Sequence, residues 1–315
     1  MPIPGASRWS HPGTILVATD LSDLDRLLPF AIQQAVSTGA NLILLHVLAA
    51  SEAMAVDAVG MPYYDPAGAI DFAAKSLETC CHQARSHKVA CDAVVREGNV
   101  AQQVLAASRQ FHADRILLGT RSRSKMSKLL LGSVAEQVLR SANLPVMTVG
   151  PEAHLPVEGD SPERLILHAT TLREASRSSA ALACQIASTL GAKLVLLHVL
   201  PPLEEMDRKG FSPEIDSVAV QELTALATEA ACGCTGTIEP HVIHGNPSIE
   251  ILAEAAQRHA SLIVLGATQR SALQNLTRNR TIYKILAHAH CPVLTLREAQ
   301  DAKEEPVALR MAMHL

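Results

Sequence analysis

The chain repeats itself, and that repetition limits its architecture more than any other feature. Residues 41–48 read NLILLHVL and residues 193–200 read KLVLLHVL, 152 positions apart. STGA ends at Ala40 before the first run, and STLGA ends at Ala192 before the second. REGN at 96–99 answers IHGN at 243–246, RILLGT at 115–120 answers LIVLGA at 262–267, and LPVMTV at 144–149 answers CPVLTL at 291–296. These last three pairs share an offset of 147. Landmarks kept in one order at nearly constant spacing mean a tandem duplication, with copies at 13–150 and 163–297. The segment between them, PEAHLPVEGDSPE, is rich in proline and acid and reads as a linker. From Glu298 the chain ends in a tail of mixed charge.

Each copy alternates strand and helix. Residues 14–19, 42–48, 89–95, 115–119 and 145–149 are short runs of Val, Ile and Leu, as strands buried on both faces require. Between them, apolar residues fall at helical spacing: Ala31, Ala35 and Val36; Val100, Val104 and Ala107; Val134, Val138 and Leu139. Ser22 and Asn99 stand where helix N-caps belong. Crossovers of a dozen or more residues between strands give a parallel sheet covered on both faces. The expectation is two tandem five-stranded α/β domains, each with about four helices. Periodicity leaves the strand order open.

Composition removes several function classes. The net charge of -4 lacks the basic excess of a nucleic-acid binder, and 3% aromatics leaves few stacking platforms for single strands. No apolar run reaches the ~20 residues of a membrane helix. The opening MPIPGASRWSHPG has no apolar stretch of a secretory signal. Seven cysteines without a regular framework suit reduced thiols in a cytoplasmic protein.

One segment carries candidate chemistry: LLGTRSRSKMSKLLLGSVAEQVL at 117–139. Gly119 ends a strand and Gly132-Ser133 opens a helix, whose free amides and dipole attract phosphate. Arg121, Arg123, Lys125 and Lys128 lie between, with no acid before Glu136. The same residues also fit a solvated basic loop. Neither a Walker A sequence nor G-x-G-x-x-G occurs. At the end of the first strand, Asp20 could accept hydrogen bonds from a ribose or a base, or serve only the turn.

Together these residues resemble the universal stress protein family, over both halves of the chain. The first half has features of its ATP-binding branch: ILVATDLS at 15–22, LLHV at 44–47, and G-x2-G-x9-G-S falling on Gly119, Ser122, Gly132 and Ser133. Ser122 stands where the pattern has glycine. A positive φ there would cost serine about 1–2 kcal/mol, or roughly tenfold in affinity. The resemblance implies a Rossmann-like sheet of order 3-2-1-4-5, with ligand at the switch point between the first and fourth strands. It implies ATP as the ligand, alone or with Mg2+. Asp20 would meet ribose or adenine, the Val47 backbone would meet adenine, and Ala18, Thr19, Leu118 and Val134 would line the site. Gly119, Ser122, Gly132 and Ser133 would hold the phosphates. No catalytic residue and no protein-held metal is expected. The resemblance also implies intrachain pairing of the fifth strands, Pro145–Val149 with Pro292–Leu296, and leaves a homodimer of whole chains open.

In the second half, Thr171 falls opposite Asp20, and Gln269, Asn279 and Arg280 replace Ser122, Gly132 and Ser133. Gly266 is kept. This copy reads as degenerate for ATP, its Arg270, Arg278, Arg280 and Lys284 suiting a solvated face or another anion. Lys125-Met-Ser-Lys128 is similar to the KMSKS loop of class I aminoacyl-tRNA synthetases, but no HIGH-type motif follows the first strand. Cys232, Cys234, His241 and His244 could bind zinc, although a strand at 237–243 would turn the two histidines to opposite sides. His46 and His198 occupy equivalent strand positions and suit packing; Cys80-Cys81 suit a helix core. The expected function is a nucleotide-binding stress-response or signalling module with slow or no hydrolysis. The alternatives are a nucleotide-independent interaction scaffold, or an ATPase or nucleotidyl transferase.

Overall fold

The computed structural model describes residues 6–49, 54–56, 62–120, 131–155, 164–173, 176–204, 206, 214–232, 234–268 and 280–298. The chain divides into one compact unit of His11–Val149 and another of Gly150–Leu315 together with Met1–Ser10. The first unit contains β1 (Thr14–Thr19), α2 (Leu24–Thr38), β2 (Asn41–Leu48), β3 (Met54–Val56), β4 (Pro62–Tyr64) and α3 (Pro66–Ser86). It continues with β5 (Cys91–Glu97), α4 (Val100–Gln110), β6 (Arg115–Gly119), α5 (Ser133–Ser141) and β7 (Val146–Val149). The second unit contains α1 (Ala6–Ser10), β8 (Leu165–Ala169), α6 (Ser176–Leu190), β9 (Lys193–Leu200) and α7 (Ile215–Ala231). It continues with β10 (Ile238–His244), α8 (Pro247–Gln257), β11 (Leu262–Thr268), α9 (Arg280–His288) and β12 (Val293–Glu298).

Both units have a parallel sheet in the expected order. In the first it runs β5-β2-β1-β6-β7, and in the second β10-β9-β8-β11-β12. Apolar continuity explains the central strands: in β2 every residue after Asn41 is buried, and in β1 Ile15, Leu16 and Val17 are fully covered. Leu16, Leu45, Val47, Ile116 and Leu118 pack against Val104 of α4 and Val138 of α5, forming the core beneath one sheet face. The antiparallel β3–β4 hairpin is an addition that strand-helix alternation did not suggest. No helix among the described residues is long and apolar enough to cross a membrane.

The repeated Gly-Asn landmark has a local physical cause. Gly98 (φ +120°) and Gly245 (φ +147°) turn the chain out of β5 and β10 through backbone space that suits glycine. The next residue caps a helix: Asn99 accepts from the Gln102 amide and Asn246 from the Ser248 amide. Ser22 does not cap α2. The cap position is Asp23, whose side chain makes no cap bond, because it is turned back toward β1. Ser22 instead donates through its hydroxyl to Asp20 Oδ1 at 2.5 Å.

Candidate functional site

The order of each sheet places its switch point between the first and fourth strands, where flanking helices pass to opposite faces and leave a crevice. In the first unit, Ala18 of β1 pairs with Leu118 of β6. Beyond these strand ends lies a cavity of about 280 Å3. Ala18, Thr19, Asp20, Val47, Leu118, Gly119, Gly132, Ser133 and Val134 all line it. Nine sequence-selected residues from four separate segments are thus brought to one cavity. Ser122 lies outside the described residues, as do Arg121, Arg123, Lys125 and Lys128.

Beyond β1 a hydrogen-bonded turn carries Asp20 and Asp23 to the cavity. Leu21 follows β1 with φ +68°, a conformation costing a side chain of this kind about 1–2 kcal/mol. Its amide donates to Thr19 Oγ1 at 2.9 Å, and the Ser22 amide donates to Asp20 Oδ1, also at 2.9 Å. His46 supports the turn from the neighbouring strand, its Nδ1 lying 3.1 Å from the Thr19 carbonyl. The second unit repeats this device. Leu172 has φ +54°, its amide meets Thr170 Oγ1 at 3.3 Å, and His198 Nδ1 lies 3.0 Å from the Thr170 carbonyl. Both histidines therefore position backbone, and burial pushes the His198 imidazole below its usual range.

Asp23 also lines the cavity, and the sequence reading did not select it. Thr19 Oγ1 donates to Asp23 Oδ1 at 2.6 Å, and Arg26 Nη2 stands 4.0 Å from the other carboxylate oxygen. Burial pushes this carboxyl up from 3.8 to about 6; the charge of Asp20 adds to the effect, while the Thr19 bond and Arg26 oppose it. Asp23 also explains Gly119, whose φ is ordinary. A Cβ at residue 119 would fall on the Asp23 carboxylate and lie 3.2 Å from Arg26 Nη2. The one available signal for Asp23 was an acid three positions after Asp20 at a helix start, which local pattern reads as a cap.

At the opposite wall α5 begins at Ser133. The first amides of a helix have no acceptor within it. The Gly132 amide is different: it donates to the Thr120 carbonyl at 2.8 Å. The amides left without an acceptor in the helix are therefore those of Ser133, Val134 and Ala135, three residues that line the cavity.

The second unit keeps a cavity of about 310 Å3 at the equivalent place, lined by Thr170, Thr171, Arg173, His198, Gly266 and Ile285 among others. Thr171 occupies the position of Asp20, its hydroxyl 3.2 Å from Ser176 Oγ. Gln269, Arg270, Arg278 and Asn279 lie outside the described residues; Arg280 begins α9, and Lys284 is exposed. The suspected zinc ligands separate. His241 Nε2 meets Glu254 of α8 at 3.3 Å, whereas His244 Nε2 meets Asp216 of α7 at 3.0 Å. Among the described residues no cluster of three or more His, Cys, Asp or Glu is arranged to hold a metal.

The model of the universal stress protein family matches residues 12–150 and again 164–297. The chain belongs to the universal stress protein family. A universal stress protein of Mycolicibacterium smegmatis is 25% identical over 308 residues, covering 90% of this chain and 96% of its own. A shorter universal stress protein of Thermus aquaticus is 32% identical over 124 residues, which is 39% of this chain and 90% of the relative. The crystal structure of a universal stress protein from Archaeoglobus fulgidus superposes with a TM-score of 0.67 at 19% identity, covering 90% of this chain and 98% of that one. At that identity the likeness speaks for the fold, which agrees with two tandem universal stress protein domains in one chain.

Proposed function

We propose that this universal stress protein binds one ATP per chain, in the first domain, and acts as a nucleotide-responsive stress or signalling module rather than a fast enzyme. The observation that carries the reading is the convergence of Asp20, Gly119 and the α5 amides on one 280 Å3 cavity. The residues suit an adenine nucleotide. Leu45, Val47, Val104 and Leu118 offer an apolar slot for a base. Ser22 engages Asp20 Oδ1, which leaves Oδ2 to accept from a ribose hydroxyl. Helix-start amides and dipole favour phosphate, each charge-assisted hydrogen bond contributing about 1.5–3 kcal/mol. Ser122 would join Gly119, Gly132 and Ser133 at the phosphates, with or without Mg2+. In the second domain Thr171 supplies no carboxylate.

Slow turnover follows from the same inventory. Amides and cations that hold ground-state phosphates equally well do not accelerate transfer. Asp23, the acid with the raised pKa, is bonded to Thr19 and turned toward Gly119. Hydrolysis at about 1 s-1 or faster, abolished in Asp23→Asn, would overturn this reading and identify Asp23 as a base. Titration calorimetry of the full chain tests binding: ATP heat lost in Asp20→Ala and Gly132→Val but kept in Thr171→Ala is expected. Binding that survives the first two changes and fails in the third would move the site to the second domain.

We further propose that Pro145–Val149 and Pro292–Leu296 pair within the chain. β7 and β12 each hold the last place in the strand order 3-2-1-4-5 of their own unit, the strand through which the family resemblance implies pairing. Hydrogen exchange in which the amides of both strands exchange as fast as those of an open sheet edge would argue against it.

A further inference from the structure

Two thiols of the first unit meet in its interior, away from the nucleotide cavity. Cys81 lies on α3 and is fully buried; Cys91 opens β5 and is 4% exposed. Their sulfurs are 2.8 Å apart, and both cysteines are free. A covalent disulfide spans ~2.05 Å, so closing this pair asks for a short side-chain movement and no rearrangement of the fold. Neither thiol serves the cavity. Cys91 pairs with Leu42, at the end of β2 opposite to Val47.

The surroundings make the two sulfurs unequal. Arg85 donates from Nη2 to the Cys91 carbonyl at 2.6 Å and from Nη1 to Glu78 at 2.6 Å, which fixes its cation beside the pair. The hydrogen bond with Cys91 holds the Cys81 thiol below its usual range, with Arg85 assisting, while burial, Glu78 and Asp92 oppose. Cys91 moves the other way, raised by its bond to Cys81 and by burial. Cys81 is thus the better thiolate of the two. Cys80, next along α3, is less buried and has its thiol pushed up by burial.

We propose that Cys81 and Cys91 are a redox-active dithiol that a peroxide converts into an intrachain disulfide. When local opening of α3 from β5 exposes the pair, the Cys81 thiolate attacks one peroxide oxygen. The S–O bond forms as the O–O bond breaks, and the leaving oxygen departs as water or an alcohol after taking up a proton. Cys91, giving up its proton, then attacks the Cys81 sulfur. The S–S bond forms, the S–O bond breaks, and the second oxygen leaves as water. Two thiols lose two electrons and two protons, and the peroxide receives them. A small dithiol reverses the change by exchange. The product ties the last turns of α3 to the edge strand β5.

Hydrogen peroxide treatment of the reduced full chain, followed by tryptic mass mapping, tests this. Cleavage after Lys75, Arg85, Lys88 and Arg96 gives SLETCCHQAR and VACDAVVR. The expected product is these two peptides joined, two hydrogens lighter than their sum, and absent after reduction. Cys80→Ser keeps the linked species and Cys81→Ser loses it. In Cys91→Ser, which keeps a donor beside Cys81 but cannot resolve the sulfenic acid, Cys81 stops at the sulfenic acid and is trapped by dimedone. A link through Cys80, links only among Cys184, Cys232, Cys234 and Cys291, or Cys81 passing to sulfinic acid in the unmodified protein without any link would each overturn the proposal. The result does not depend on whether ATP binds.

Discussion

Asp23→Asn separates an acid kept for charge from one kept for shape. In the folded protein the Asp23 carboxyl is raised from 3.8 to about 6, chiefly by burial. The folded state therefore holds a proton that the unfolded state has released between those values. Stability falls as pH rises across that window, is unpenalised below about 4, and carries the whole penalty above about 6. At ~1.4 kcal/mol per pH unit the interval amounts to about 3 kcal/mol. Asparagine keeps the oxygen that accepts from Thr19 and cannot ionise. It also loses the 4.0 Å pairing with Arg26, which shifts the offset between the two proteins but not its slope with pH. The assay is thermal unfolding of the full chain and of Asp23→Asn from pH 4 to pH 7. The variant should gain on the wild type by about 3 kcal/mol across that range, or roughly 6–12 °C in Tm for a domain of this size. With ATP bound as proposed, the triphosphate charge should disfavour the Asp23 anion further and deepen the effect. ATP binding near pH 6 should then take up a proton, and its heat should vary with the ionisation enthalpy of the buffer. A difference between the proteins that stays flat with pH, or shrinks as pH rises, would refute the placement of a buried raised carboxyl here.

The second unit should respond to acid with the opposite sign. His168 is held near 4 by burial, with its Nδ1 3.0 Å from the Val264 carbonyl. Its contribution is complete above about 6.5 and is lost as pH falls toward 4, about 3 kcal/mol in all. His168→Val, which installs the residue found at Val17 in the first half, should flatten that slope in the same unfolding experiment. Gly119→Ala should destabilise by about 1–3 kcal/mol through overpacking against Asp23, and Asp23→Ala should remove most of that cost in a double-mutant cycle. Additive effects would show that residues 23 and 119 do not meet. Asn99→Ala and Asn246→Ala should each cost about 1 kcal/mol in unfolding midpoint experiments, since each removes one helix cap.

What the sequence by itself determined is what local physics can write. Uninterrupted Val, Ile and Leu runs, helical spacing and the Gly-Asn punctuation depend on residues within a few positions of one another. They yielded two α/β domains and most of their strand boundaries. β5 is the exception, beginning at Cys91 and ending at Glu97, two residues later than the apolar run suggested. The order 3-2-1-4-5 came through the family resemblance, because periodicity says nothing about which strand neighbours which. Nine of the ten selected site residues line one cavity, since each ends a strand or begins a helix and parallel strands deliver those ends to one edge. The tertiary structure alone decided the rest. Asp23 went unselected, the cap being placed at Ser22, because the gap into which its carboxylate turns is supplied by Gly119, nearly a hundred residues later. Its raised pKa comes from burial, which no neighbour in sequence creates. Cys81 and Cys91 lie on a helix and a strand, so their meeting at 2.8 Å depends on how α3 lies against β5. His241 and His244 share a strand, yet they pair with acids on two different helices because an odd spacing sends their side chains to opposite faces.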